Sequence, residues 1–185
     1  CSSDLSDITD IKENQRQLEH LAYHDTLTQL PNRSLLADRM RMALAQAERN
    51  DTLAAVAYLD LDGFKPVNDS FGHQAGDEVL VDLASELWAV VRRNEMFFRL
   101  GGDEFTAILE GISGEEDVLV VAKRIVESIG TPFQIGPHRI SIGVSIGVTL
   151  YPSDDEDQDE LLRHADKAMY AAKQQGGGRF HFHSP

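Results

Sequence analysis

Cysteine is almost missing from this chain: Cys1 is the only one in 185 residues, so no internal disulfide can form. Long apolar runs are missing too, and none reaches the ~18 residues that a membrane span requires. Together these absences point to a cytoplasmic compartment and to a segment without membrane contact. Basic residues are scarce, with 17 Lys+Arg against 31 Asp+Glu and a formal charge of −14. Such a balance repels nucleic acid and anionic lipid. A polyanionic substrate would therefore need metal ions or a local basic cluster. There is no Met at position 1 and no signal-peptide pattern, so the chain reads as part of something longer. At 42% hydrophobic content it can bury one good core, which predicts one domain plus a tail.

The polar start "CSSDLSDITDIKENQRQ" turns helical near Ile11, with Ile11, Leu18 and Leu21/Ala22 spaced as a short heptad-like seam. It reads as a connector. After "LPN", residues 33–50 place Leu36, Met40, Ala43/Leu44 and Ala47 on one helical face. "LAAVAYLDLD" (Leu53 to Asp62) is an apolar run that turns acidic at its end, as a buried strand delivering carboxylates to its C-terminal edge would. A helical pattern follows from His73 to Val91. "MFFRL" and "EFTAILE" then flank Gly101 and Gly102, a strong hairpin signal that puts Asp103 and Glu104 at the tip. A helix from about Glu115 to Ile129, strands near "PFQI", "HRI" and "SIGVSIGVTLY", a helix from Gln158 to Gln175 and a strand "RFHFH" complete the count. This order predicts an α+β fold with a mostly antiparallel central sheet covered by helices.

Asp60 ends a predicted central strand, and the hairpin bearing Asp103 and Glu104 can pair beside it, so three acids converge at one sheet edge. Oxygen ligands of this kind suit Mg²⁺ shared with substrate phosphates. The competing reading is a set of solvated turn acids. A calcium loop from "DLDG" is excluded, because an EF-hand needs Gly sixth and Glu twelfth, whereas here the Gly is fourth and the twelfth residue is Phe71.

"RLGGDEF", with "DLDGFKPVNDSFGHQAGDEVL" and "LAYHDTLTQLPNR" upstream and "ADKAMYAAKQQGGGR" downstream, resembles the GGDEF family of diguanylate cyclases from about Leu21 to Arg179. The resemblance implies a palm-like architecture similar to nucleotidyl cyclases and polymerases. It divides the chain into a linker, residues 1–22, and a GGDEF domain, residues 23–183. The implied reaction joins two GTP, one on each protomer of a homodimer, into cyclic di-GMP and pyrophosphate, with Mg²⁺ or Mn²⁺ as cofactor. "DITDIK" resembles the exit of a PAS sensor, and the resemblance implies that "FHFHSP" runs into another module, such as the phosphodiesterase domain often found in tandem. The alternative function is a GTP-binding regulatory module controlling such a neighbour; the intact signature and Asp60 favour the enzyme.

Carried over residue by residue, the resemblance makes Asp60, the Leu61 carbonyl, Asp103 and Glu104 metal ligands, with Asp103 also the catalytic acid that assists deprotonation of the GTP 3′-hydroxyl. Asn68 and Asp77 match guanine contacts: an ionised Asp accepts from both N1–H and the exocyclic amine, donors that adenine does not present together. His73 stands in the same segment, either shaping the pocket or only packing at a helix start. The backbone up to Phe64, with Lys65, Lys173 and Arg179, faces the phosphates; "AKQQGGGR" departs from the commoner "AKxxGRN" by putting glycine at the usual basic position. "RRNE" stands where the family often has an inhibitory "RxxD" product site, with Arg92 in place and Glu95 replacing Asp. Retention, loss, or a mere exposed salt bridge are the readings there.

The remaining histidines read as structural. His20 and His24 have an i, i+4 spacing that suits zinc but fall in the linker pattern, and His181 and His183 alternate as one solvated strand face. Phe64, Phe71 and Trp88 read as core.

Overall fold

A computed structural model describes residues 3–184; Cys1, named above for disulfides, and Pro185, at the end of the tail, lie outside the described residues. The central strand is β1 (Leu53–Asp62), whose residues Ala54 to Ala57 are buried on both faces, the signature of a strand covered on each side. It pairs antiparallel with β3 (Glu104–Ile112) on one side and with β6 (Gly143–Tyr151) on the other. β2 (Glu95–Gly101) adds to β3 as an antiparallel edge, and β7 (Arg179–Phe182) joins β6 in parallel, giving the order β2-β3-β1-β6-β7. β4 (Phe133–Ile135) and β5 (His138–Ile140) form a separate small hairpin.

The two-residue period of β1 sorts its side chains into two cores. Ala55, Ala57, Leu59 and Leu61 face the larger cluster, which includes Val79, Leu83 and Leu87 of α4 (His73–Val90) and Ile125 and Ile129 of α5 (Glu115–Gly130). Ala54 and Val56 face the second, formed with Leu36, Met40, Ala43 and Ala47 of α2 (Arg33–Asn50) and Leu161 of α6 (Gln158–Gln174). The helical face expected for residues 33–50 is therefore the buried one. α6 lies directly on β6: a Cβ at Gly147 would stand 1.9 Å from the Ala165 carbonyl oxygen, so only glycine permits this approach. The face shared by Val56, Tyr58, Asp60 and Asp62 is thus the face covered by α2 and α6.

Three expectations are corrected. The first helix, α1 (Ser3–Tyr23), begins well before Ile11; its seam residues Ile11, Leu18 and Leu21 are exposed. Asn32 joins α1 to α2, donating to the Ala22 carbonyl (2.9 Å) while accepting from the amides of Ser34 and Leu35 as the N-cap. Trp88 is 66% exposed and Phe71 42%, so neither is core: Trp88 lies just past the edge of the buried face of α4, and Phe71 closes the short helix α3 (Phe64–Phe71) against the ring of His138, 4.8 Å away. Phe64 is buried as expected. Among the described residues, no helix is long and apolar enough to cross a membrane.

Candidate active site

The hairpin register decides how the acids meet. Gly101 opposes Glu104, leaving Gly102 and Asp103 as the turn, with φ of 139° at Gly101 and 53° at Gly102. Asp103 is therefore the tip residue. Glu104 is already the first residue of β3, directly opposite Asp60, rather than part of the tip. The Leu61 amide donates to the Asp103 carbonyl (3.2 Å), and the Arg99 guanidinium donates to the Gly102 carbonyl through Nε (3.2 Å) and Nη2 (2.9 Å). The turn is held from both sides.

One cation of the protein sits in this acidic edge. Lys173, in the last turn of α6, places Nζ 2.8 Å from Asp60 Oδ1, 3.8 Å from Asp62 Oδ1 and 3.4 Å from the Leu61 carbonyl oxygen. Asp60 Oδ1 is buried and, beyond this ion pair, accepts no aligned hydrogen bond. Burial raises the pKa of Asp103 and the negative charge of Asp60 adds to it. Tyr58, two residues before Asp60 on the same face, is pushed up to about 12 by burial and by the carboxylates of Glu104 and Asp166. Carboxylates that crowd one another, a buried Asp60 oxygen whose charge is met by the Lys173 ammonium, and the Leu61 carbonyl beside it form an oxygen set that fits a hard divalent cation.

Asp62 is the acid that sequence reading passed over. Its Oδ1 accepts from the Ser145 hydroxyl (2.8 Å) and its Oδ2 from the Gly178 amide (2.7 Å). Gly176, Gly177 and Gly178 all have positive φ, and a Cβ on Gly177 would lie 2.6 Å from Asp62 Oδ2. The glycine run thus wraps a carboxylate at the end of β1, which accounts for the departure from the family pattern. Arg179 follows as the exposed first residue of β7, with Nε bonded to the Gly177 carbonyl (3.1 Å).

Beside this edge, Gly63 (φ 81°) turns the chain into α3, where Phe64 is buried and Lys65 exposed. Asn68 on α3 packs against Gly76 on α4: a Cβ there would fall 1.9 Å from Asn68 Oδ1. Asp77 is the next residue of α4, so the two expected base contacts stand on adjacent helices at their closest approach. Asp77 and His73 are both exposed.

The expected product site is divided. Arg92 is exposed, whereas Glu95 is buried, pairs closely with Arg124 of α5 and accepts from the Arg92 backbone amide (3.1 Å). It is not an exposed salt bridge. Arg124, which sequence reading missed, keeps Nε and Nη1 buried without a hydrogen-bond partner. His20 and His24 stack on each other at 4.1 Å, and His20 Nε2 meets Gln29 Oε1 at 2.7 Å. His183 is not on a solvated face: it is half-buried, stacked on His164 at 4.1 Å.

The mixed, mostly antiparallel five-stranded sheet covered by helices matches solved GGDEF domains. The GGDEF domain of TpbB (YfiN) from Pseudomonas aeruginosa matches with a TM-score of 0.84 and 38% identity, over 87% of this chain and 94% of that one. The coiled coil and GGDEF domain of DgcB from Caulobacter crescentus, in complex with c-di-GMP, matches with a TM-score of 0.84 and 28% identity, over 98% and 96%. The family described as "Diguanylate cyclase, GGDEF domain" matches residues 22–179, and the chain belongs to it. It is 45% identical over 174 residues to the bifunctional diguanylate cyclase/cyclic di-GMP phosphodiesterase MucR of Pseudomonas aeruginosa, covering 94% of this chain and 25% of MucR. The chain thus spans a minor part of this curated relative's length.

Proposed function

We propose that this domain condenses two GTP molecules into cyclic di-GMP and pyrophosphate, using Mg²⁺ or Mn²⁺. The observation that carries the reading is the convergence of Asp60, Asp103 and Glu104 at one sheet edge, with Lys173 already standing as a cation among them. Asp60, the Leu61 carbonyl, Asp103 and Glu104 would hold the metal. Bound there, it would neutralise triphosphate charge and acidify the 3′-hydroxyl.

The protein's own groups supply the rest. Asp103 takes the 3′-hydroxyl proton as the general base. The oxygen then attacks the α-phosphorus of the GTP held by the partner protomer, and pyrophosphate leaves from each half-reaction. The backbone entering α3, with Lys65, Lys173 and Arg179, carries the triphosphate. Asn68 and Asp77 select guanine, with His73 at the rim of the pocket. Each protomer presents one GTP, so the active species is a homodimer.

Around this core, residues 23–183 form the catalytic domain, and residues 1–22, most of them in α1, carry signals from an upstream sensor. Cyclic di-GMP returns as an inhibitor through the exposed Arg92, beside Glu95, whose carboxylate is engaged by Arg124. The setting is bacterial second-messenger signalling in the cytoplasm, and a phosphodiesterase domain like that of MucR is the natural neighbour.

The test is incubation with GTP or ATP and a divalent cation, with product analysis. Cyclic di-GMP from GTP, and a preference over ATP of about two orders of magnitude, is the expected result. Tight GTP binding without product would leave a GTP-sensing module in its place.

A further inference from the structure

A second cluster of ligating side chains lies at the other end of α6. Asp155, Glu160 and His164 each offer one donor atom, and the three atoms lie within 4.8 Å of one another. Glu160 and His164 stand one turn apart on the same helix face, with His164 Nε2 3.7 Å from Glu160 Oε2. Asp155 reaches in from the segment before the N-cap Asp157, fixed there because its Oδ1 accepts from the amides of Glu156 (2.8 Å) and Asp157 (2.9 Å). The His164 ring is clamped by His183, parallel to it within 2° at 4.1 Å.

We propose that Asp155, Glu160 and His164 form a binding site for a divalent transition-metal ion, with Zn²⁺ the best fit. The donor set is one imidazole and two carboxylates, a combination that suits zinc or nickel better than magnesium. Zinc bonds to such donors are about 2.0–2.2 Å long, so the three atoms must draw together by small side-chain rotations. Glu160 is 43% exposed, which leaves room for them once Arg163 releases its Oε2.

Two features oppose a cation here. The N-terminal end of α6 carries partial positive charge, and Arg163 is already bonded to Glu160 with Nη2 3.4 Å from His164 Nε2. Against them stand six carboxylates between residues 154 and 164, with Arg163 the one Lys or Arg in that stretch. The guanidinium is 62% exposed. It occupies the place of the ion without being locked there, and it can swing into solvent when a metal enters. The site is distinct from the carboxylate edge: Lys173 lies nine residues further along α6, about 13 Å at 1.5 Å per residue.

The test is calorimetric titration of ZnCl₂ with Mg²⁺ held in excess, so that the hard-oxygen edge is occupied. One zinc should bind the native protein, and His164→Gln and Glu160→Gln should each weaken it by about tenfold or more. In parallel, NiCl₂ should broaden the imidazole NMR signals of His164 and His183 before those of His20, His24 and His181. Magnesium-supported turnover should be retained in His164→Gln. Zinc affinity unchanged in His164→Gln, broadening confined to the other histidines, or no binding at millimolar zinc would overturn the site.

Discussion

Arg99 on β2 binds both carboxylate oxygens of Asp25 through Nη1, at 3.0 and 2.9 Å, while Nε and Nη2 hold the carbonyl of Gly102. One guanidinium therefore ties the segment that follows α1 to the turn that presents Asp103. Burial pushes the Asp25 carboxyl up, but hydrogen bonds from the Thr28 hydroxyl and amide, with Arg99, outweigh it and hold the pKa below the usual value. The stability contributed by this link is present above the ordinary carboxylate pKa and is lost as pH falls through the depressed one. Asp25→Ala should cost about 1–3 kcal/mol, because it strands a largely buried guanidinium. Activity should fall further than stability explains, since the turn loses its brace. Denaturant melts paired with initial rates check this: a variant with native rates would mean the turn stands without it.

Asp103 works in the opposite sense. Its raised pKa means that the metal-free fold is most stable with the carboxyl protonated, below the ordinary carboxylate pKa, and loses that advantage as pH rises through the raised value. Asp103→Asn should therefore stabilise the metal-free protein at neutral pH and raise its Tm. Saturating Mg²⁺ should reverse the order, because the native site then has its counter-ion. Thermal melts with and without the cation distinguish the two states.

Lys173→Met removes the ammonium between Asp60 and Asp62. Two carboxylates then face each other uncompensated, so the variant should melt lower without metal and regain most of the loss with it. The KM for GTP should rise, as the proposed contact of Lys173 with the triphosphate requires. A KM unchanged from the native value would remove Lys173 from the substrate site.

Gly76→Ala separates packing from recognition. Alanine favours the helix by up to about 1 kcal/mol over glycine, yet its Cβ would stand 1.9 Å from Asn68 Oδ1 and must displace that side chain. The expected outcome is a fold of near-native stability whose GTP-over-ATP preference has dropped, read from competition binding.

What the sequence made legible was whatever sits in local pattern. The apolar run of β1 ending in acids, the Gly101–Gly102 hairpin and the buried face of α2 follow from periods of two and 3.6 residues. Pairings between distant residues were not legible. Arg99 meets Asp25 across 74 positions and Arg124 meets Glu95 across 29, and no spacing rule connects them. Asp62 was passed over because an acid alternating with apolar residues at a strand end reads as surface, whereas here it anchors the glycine run of the loop before β7. Trp88 misled for the converse reason: a large aromatic reads as core, but α4 already fills its buried face with Val79, Leu80, Leu83 and Leu87.

The central claim is that the convergent acids perform the chemistry, and one measurement addresses it: quantifying cyclic di-GMP formed from GTP and Mg²⁺ by the native protein and by Asp103→Ala, over a range of protein concentrations. The account predicts product from the native chain, with specific activity rising as protein concentration rises, and none from a folded Asp103→Ala protein. Undiminished product from that variant, or none from the native protein at any concentration, would contradict it.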